Sequence, residues 1–285
     1  MRAVLATDLS DAIETAIESR TCLECLQRYG IDEIDLVTVT SPNVTAGMPG
    51  SDIGGRTKRG LERQRGKLEA EGFGVRTHVM RGTPHRRING LAERIDADLL
   101  IVGSRGQSPL EQRFIGGTAR NVARTAARPL LVQRILEHGE EDHEVAAEHL
   151  FQRILYATDF SENAERAFEQ FDHLETAAQE VTLLHVAPPG RRANGDPDAV
   201  SDAEARLGEL ADQLEERGIE TRVVVREGAA VEEILAAEQQ FQPTSVLMGS
   251  RGRSRMRRLL LGSVSEEVTA RADCNVLLVP PAGSR

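Results

Sequence analysis

Residues Met248 to Val264 read MGSRGRSRMRRLLLGSV, and this stretch decides the fold. A short apolar run, Ser245 to Met248, precedes it, and an amphipathic segment, Val264 to Arg271, follows. Gly249 and Gly252 open the stretch; nine residues later Gly262 and Ser263 close it. The order is strand, glycine-rich loop, helix N-terminus. A loop of this kind offers backbone N–H groups to an anion, and the helix dipole adds partial positive charge. Five arginines lie inside it: Arg251, Arg253, Arg255, Arg257 and Arg258. The same spacing recurs in Val102 to Thr118, VGSRGQSPLEQRFIGGT, with Gly103, Gly106 and Gly116. The loop is one half of a duplicated design.

Working outward, short apolar runs alternate with helical periodicity in both halves. In the first half, RAVLAT ends at Asp8, IDLVTVT spans Ile34 to Thr40, and further strands are expected at Val75 to Met80, Asp98 to Val102 and Pro129 to Gln133. Between them, apolar spacing predicts helices over Asp11 to Tyr29, Arg56 to Glu71, Pro84 to Ile95 and Thr118 to Ala127, with Ser10 as an N-cap. In the second half RILYAT ends at Asp159, and ATDFSENAERAFE aligns with ATDLSDAIETAIE of the first. Ser161 is expected to cap a helix reaching Ala178. Strands follow at Val181 to Val186, Thr221 to Val225, Thr244 to Met248 and Asn275 to Val279. Such alternation implies an α/β fold with a parallel sheet, right-handed crossovers and helices on both faces. The expected domains are 1–134 and 151–285. Between them, 135–150 carries six acidic side chains and neither Lys nor Arg, and it is read as a solvated linker. His138, His143 and His149 lie there among carboxylates, and a charge run of this sort usually faces water.

A chain of 285 residues with 40% hydrophobic content suits two soluble domains, each able to build its own core. No apolar run reaches the roughly 18 residues of a spanning helix. The start, MRAVLATDLS, lacks a signal-peptide pattern, so the expected location is cytoplasmic, with no membrane partner. The net charge of −10 argues against general nucleic-acid binding. Cys22 and Cys25 form a C-x-x-C in the middle of a predicted helix, away from the helix start where redox pairs sit. They are read as packing residues.

In an open parallel sheet, ligands sit beyond the carboxyl ends of the strands where chain order reverses. With strand one central, Asp159 and Gly249 face one crevice. The loop amides, Ser263 and Val264 would hold phosphates there; the Ser263 hydroxyl could cap the helix or touch the anion. Asp159 could accept from a nucleoside, help hold Mg²⁺, or simply belong to a T-D-x-S capping arrangement. Arg251, between the two glycines, is the best-placed cation; the other arginines either pair with phosphate or point to water. There is no P-loop lysine, no G-x-G-x-x-G after the first strand, no G-x-S-x-G and no H-E-x-x-H. His185 sits in the apolar run VTLLHV and reads as a packed histidine. No general base or nucleophile stands out, which favours binding over efficient catalysis.

At these residues the chain resembles the universal stress protein family in tandem form. Nucleotide-binding members carry G-x2-G-x9-G-[ST] after strand four, matched by Gly249, Gly252, Gly262 and Ser263. The start ILYATDFSE at Ile154 and the run VTLLHV at Val181 are also similar, and the resemblance covers all but about 135–150. It implies flavodoxin-like five-stranded sheets of order 3-2-1-4-5, with ATP, alone or as its Mg²⁺ complex, at the strand ends. It also implies that Asp159 contacts the nucleoside, that Val186 offers a backbone group to adenine, and that Met248 lines the site. The matching positions of the first half are Asp8, Val39, Gly103, Gly106, Gly116, Gly117 and Thr118. There Gly117 replaces the Ser/Thr, Thr118 falls one place late, and Pro109 and Glu111 stand opposite Arg255 and Arg257. A proline removes a donor and an acid repels phosphate. The second half is therefore expected to be the better nucleotide site. The resemblance further implies that the two domains pair through their fifth strands, PLLVQ and NVLLV, and that two chains form a homo-dimer. The leading expectation is an ATP-binding stress-response switch or adaptor acting on an unknown protein effector. A dimerisation scaffold that ignores nucleotide and a slow ATP hydrolase stay open as alternatives.

Overall fold

The computed structural model describes residues 1–40, 53–104, 115–137, 143–147, 149–189, 197–252 and 261–282. The chain divides into two compact units, Met1–Glu148 and His149–Arg285.

The first unit contains β1 (Arg2–Ala6), α1 (Asp11–Glu18), α2 (Arg20–Arg28), β2 (Glu33–Thr40), α3 (Ile53–Ala70), β3 (Gly74–Arg81), α4 (Pro84–Arg94), β4 (Leu99–Gly103), α5 (Gly117–Thr125) and β5 (Leu130–Gln133). Its strands lie parallel in the order β3-β2-β1-β4-β5. β1 pairs Val4 with Asp35 on one side and with Leu100 on the other, so chain order reverses there. β4 and β5 are buried, apart from the half-buried Gly103. The edge strand β3 instead alternates between exposed and partly buried positions.

Two expectations are corrected here. The helix predicted over Asp11 to Tyr29 is broken at Ser19, whose backbone is extended (φ −70°, ψ 95°). The Ser19 hydroxyl accepts from the Cys22 N–H at 3.4 Å and so restarts the helix as the N-cap of α2. Side-chain competition for a backbone donor outweighs apolar periodicity at that point. Cys22 and Cys25 are buried on the core side of α2. Secondly, the predicted acidic linker holds an antiparallel hairpin, β6 (Ile135–Glu137) with β7 (His143–Val145). Ile135 faces Val145, both buried, and β7 packs against α1. Three-residue strands are too short to show alternation in the sequence; packing on α1 stabilises them.

The second unit contains β8 (Arg153–Thr158), α6 (Glu162–Phe168), α7 (Phe171–Leu174), β9 (Glu180–Ala187), α8 (Pro197–Glu215), β10 (Glu220–Glu227), α9 (Ala230–Phe241), β11 (Ser245–Gly249), α10 (Ser263–Arg271) and β12 (Asn275–Val279). The order is β10-β9-β8-β11-β12, all parallel, so both units have the 3-2-1-4-5 arrangement. The helix expected from Ser161 to Ala178 divides into α6 and α7. Around Glu169 and Gln170 the bonds tighten to three-residue spacing, with Gln170 N donating to Ala167 O and Asp172 N to Glu169 O. Tyr156, Phe168 and Phe171 meet edge to face beneath this bend. No helix among the described residues is long and apolar enough to cross a membrane.

Candidate functional site

The site is built where β8 and β11 end side by side. Thr158 closes β8, and its hydroxyl accepts from the Phe160 N–H at 2.9 Å. Asp159 Oδ1 accepts from the Ser161 N–H at 3.0 Å, and Ser161 Oγ accepts from the Ala164 N–H at 3.2 Å. The T-D-x-S reading as a capping arrangement is thus realised, while the Asp159 side chain also lines a cleft. The tight corner places Phe160 in the left-handed region (φ 56°), which costs a non-glycine residue about 1 kcal/mol. Contacts on the phenyl ring offset that cost. His185 stacks on it at 4.6 Å and the Arg206 guanidinium covers it at 4.0 Å. His185 Nδ1 meets Thr158 O at 2.9 Å, in keeping with a packed histidine. Beneath the corner the Tyr156 hydroxyl donates to Ala164 O at 2.7 Å, and burial pushes its phenol well above the usual tyrosine range.

β11 delivers the loop from the other side. Ser250 N donates to Val279 O at the end of β12, and Gly262 N donates to Ser250 O, which ties the two ends of the loop together; each bond is 2.8 Å. α10 then starts with Gly262 as N-cap (φ −65°, ψ 150°) and Ser263 as its first helical residue. Because the N-cap is Gly262 and Ser263 stands one place inside the helix, the N-cap position considered for the Ser263 hydroxyl is not the one it takes. The first helical N–H groups, at Ser263, Val264 and Ser265, precede the first intrahelical bond, which runs from Glu266 N to Gly262 O. They form the positive end of the helix dipole.

These segments enclose a cleft of about 270 Å³. Asp159, Val186, Met248, Gly249, Arg251, Gly252, Gly262, Ser263 and Val264 all line it. Two glycines stand at close approaches, Gly249 to backbone and Gly252 to a side chain. A Cβ on Gly252 would lie 2.7 Å from Asp159 Oδ2, and one on Gly249 would lie 3.0 Å from the Asn163 carbonyl oxygen. Sequence reasoning missed further lining residues: Leu184, Ala230, Ile234 and Ser265. Leu184 was findable, since it stands two residues before Val186 on one strand face. Ala230 and Ile234 are spaced i, i+4 on α9. For Ser265 the sequence carries no such signal. The lining thus combines apolar side chains with backbone donors of the loop and the Asp159 carboxylate. That combination suits a flat apolar group with an anionic tail.

The corresponding residues of the first unit are only partly described. Asp8 Oδ1 accepts from Ser10 N at 3.0 Å, Leu9 takes the left-handed φ of 62°, and Gly116 N donates to Ser104 O at 2.8 Å. Gly116 is the N-cap of α5, with Gly117 first and Thr118 second in the helix. Thr118 is therefore rotated by roughly 100° about the axis from the place Ser263 takes in the second unit. Val39 lies near the end of β2 and Gly103 ends β4. Gly106, Pro109, Glu111 and the arginines 253, 255, 257 and 258 lie outside the described residues.

A family model described as "Universal stress protein family" matches residues 1–134 and 150–280. Universal stress protein MJ0577 of Methanocaldococcus jannaschii is 27% identical over 154 residues, 46% of this chain and 95% of that protein. Universal stress protein Slr1230 of Synechocystis is 27% identical over 186 residues, 64% of this chain and 58% of that protein. The crystal structure of a universal stress protein from Archaeoglobus fulgidus superposes with a TM-score of 0.70 at 24% identity. It covers 99% of this chain and 98% of its own.

Proposed function

Because this chain belongs to the universal stress protein family, with two matched segments in tandem, we propose that its second unit binds ATP and works as a stress-response switch or adaptor. The observation that carries this reading is the convergence of Asp159, Val186, Met248 and the Gly249–Val264 ends on one cleft. Its volume is near the lower end of small-molecule sites, roughly 300–1,000 Å³. That suits a nucleoside held inside, with phosphates leaving along the loop. In this reading Val186 and Met248 border the adenine and Asp159 accepts from the ribose. The amides of Gly252, Ser263 and Val264, with the Ser263 hydroxyl, take the phosphates, and Arg251 neutralises charge. Asp159 is the only carboxylate lining the cleft among the described residues, which fits Mg²⁺ arriving with the nucleotide, since that ion is held by one or two carboxylates plus phosphates. The ion would neutralise phosphate charge.

The first unit is the weaker partner in this proposal, because Gly117 carries no hydroxyl where Ser263 does. We infer further that β5 and β12 pair the two units, that two chains associate, and that a protein effector reads the nucleotide state in the cytoplasm. Titration calorimetry with ATP and Mg²⁺ tests the central claim. One tight site per chain is expected, lost in Gly252→Val and weakened in Ser263→Ala. A parent protein without ATP affinity, and without nucleotide released on denaturation, would refute it.

A further inference from the structure

The peptide plane joining Ser250 to Arg251 is held from both sides. Its N–H, on Arg251, donates to Asn163 Oδ1 at 2.9 Å. Its carbonyl, on Ser250, accepts from Gly262 N at 2.8 Å and from the Ser265 hydroxyl at 2.7 Å. Asn163 uses its other amide function as well, because Nδ2 donates to Val279 O at 2.9 Å, at the end of β12. Its own backbone carbonyl abuts Gly249. Both side chains are buried, and Asn163 is not among the residues lining the cleft. At the matching positions the first half carries Ala12 and Ala119, neither of which has a hydrogen-bonding side chain. Among the described residues the first unit keeps the bond from Gly116 N to Ser104 O.

We propose that Asn163 is a positioning residue for the phosphate loop, with Ser265 as its second clip, and that this pair, together with the Ser263 hydroxyl, sets the affinity difference between the two units. The proposal rests on the nucleotide reading above. A loop whose first peptide is fixed before the ligand arrives loses less entropy on binding. The clip touches the loop between its two leading glycines and not the apolar lining. It therefore acts on the phosphate end of a nucleotide and leaves the nucleoside end alone.

The test compares ATP with adenosine on the full chain. Asn163→Ala is expected to weaken ATP roughly tenfold, the effect of losing one fixed hydrogen bond, and to leave adenosine within about twofold. Ser265→Ala, a smaller change that preserves folding, is expected to weaken ATP about threefold to tenfold. Equal losses for ATP and adenosine, or no loss in a folded Asn163→Ala, would overturn the proposal. Amide hydrogen exchange without ligand gives an independent readout. The Arg251 amide should exchange faster in Asn163→Ala, and unchanged protection overturns the clip. If the parent protein binds no ATP, the nucleotide reading falls, while the exchange result still decides whether Asn163 fixes the loop.

Discussion

Two alanine substitutions in one loop should fail in opposite ways. At Gly249 a new Cβ would lie 3.0 Å from the Asn163 carbonyl oxygen and 3.1 Å from its carbonyl carbon and from Cγ. Two of those atoms are backbone. The side chain is also tethered at both ends, to Arg251 N and Val279 O, so α6 must move to make room. Overpacking of this kind costs roughly 1–3 kcal/mol. The gain from a stiffer unfolded chain, about 0.4–1 kcal/mol, offsets part of it. Gly249→Ala should therefore lower the melting temperature by roughly 2–8 °C. At Gly252 the nearest atom is Asp159 Oδ2, at 2.7 Å, and the next, Asp159 Cγ, is at 3.7 Å. A rotation of that carboxylate relieves the clash at the expense of its bond from Ser161 N, worth about 1 kcal/mol, which the unfolded-state term nearly cancels. Gly252→Ala should keep its melting temperature within about 2 °C. It should nevertheless weaken ATP by roughly 10–100-fold, because the carboxylate no longer meets the nucleoside. Thermal unfolding of the ligand-free variants, followed by calorimetric titration, separates the two effects. The steric reasoning is refuted if Gly249→Ala melts with the parent, or if Gly252→Ala binds ATP as the parent does.

Three further outcomes are expected. Asp35 is buried in β2, where Arg2 Nη2 donates to Oδ1 at 2.9 Å and Arg2 Nε to Oδ2, with His78 Nε2 2.6 Å from Oδ1. Burial alone would raise its carboxyl, but the hydrogen bonds from Arg2 and His78 prevail and hold it below the ordinary range. A depressed carboxylate stabilises the fold above its unfolded value, near 3.9, and that contribution is lost as pH falls through the folded value. Asp35→Asn should thus cost about 1–3 kcal/mol at pH 7 and flatten the acid limb of stability below about pH 4, read by urea unfolding across pH. Tyr156→Phe removes the buried hydroxyl that donates to Ala164 O and should lower the urea midpoint by an amount equal to about 1 kcal/mol, with an unchanged slope. Gly117→Ser restores a hydroxyl at the first position of α5 yet leaves Ala12 and Ala119 in place; it should not create a second tight ATP site, as the calorimetric stoichiometry will report.

The fold was legible because its signals are local and repeated. Five apolar strands at matching intervals in each half, and the paired ATDLSDA and ATDFSEN corners, specify alternation and duplication without any tertiary knowledge. The misread segments are those where a single side chain or a distant surface decides. Ser19 interrupts a periodic helix by capping the next one, and Ile135 and Val145 form a hairpin only because α1 lies beneath them. Neither effect leaves a periodic trace.

The candidate site was legible for a different reason. Glycines at Gly249 and Gly252 report backbone approach, and the atoms that would collide with a Cβ there are those of Asn163 and Asp159. Spacing therefore encodes where main chain meets main chain or carboxylate. It encodes nothing about which buried side chains hold that main chain still. Asn163 looks like any polar residue on the first turn of a helix, and Ser265 like a neighbour of Ser263. Only their hydrogen bonds to the two sides of one peptide distinguish them. Comparison of the two halves supplies the missing signal after the fact. Where the second half has Asn163, Ser263 and Ser265, the first has Ala12, Gly117 and Ala119, three losses of a polar side chain around one loop. A single substitution could be drift in one ligand contact. Three, of which two support the loop from behind, leave the first unit without the support that the proposed anion site of the second relies on, while the strands and corner are kept.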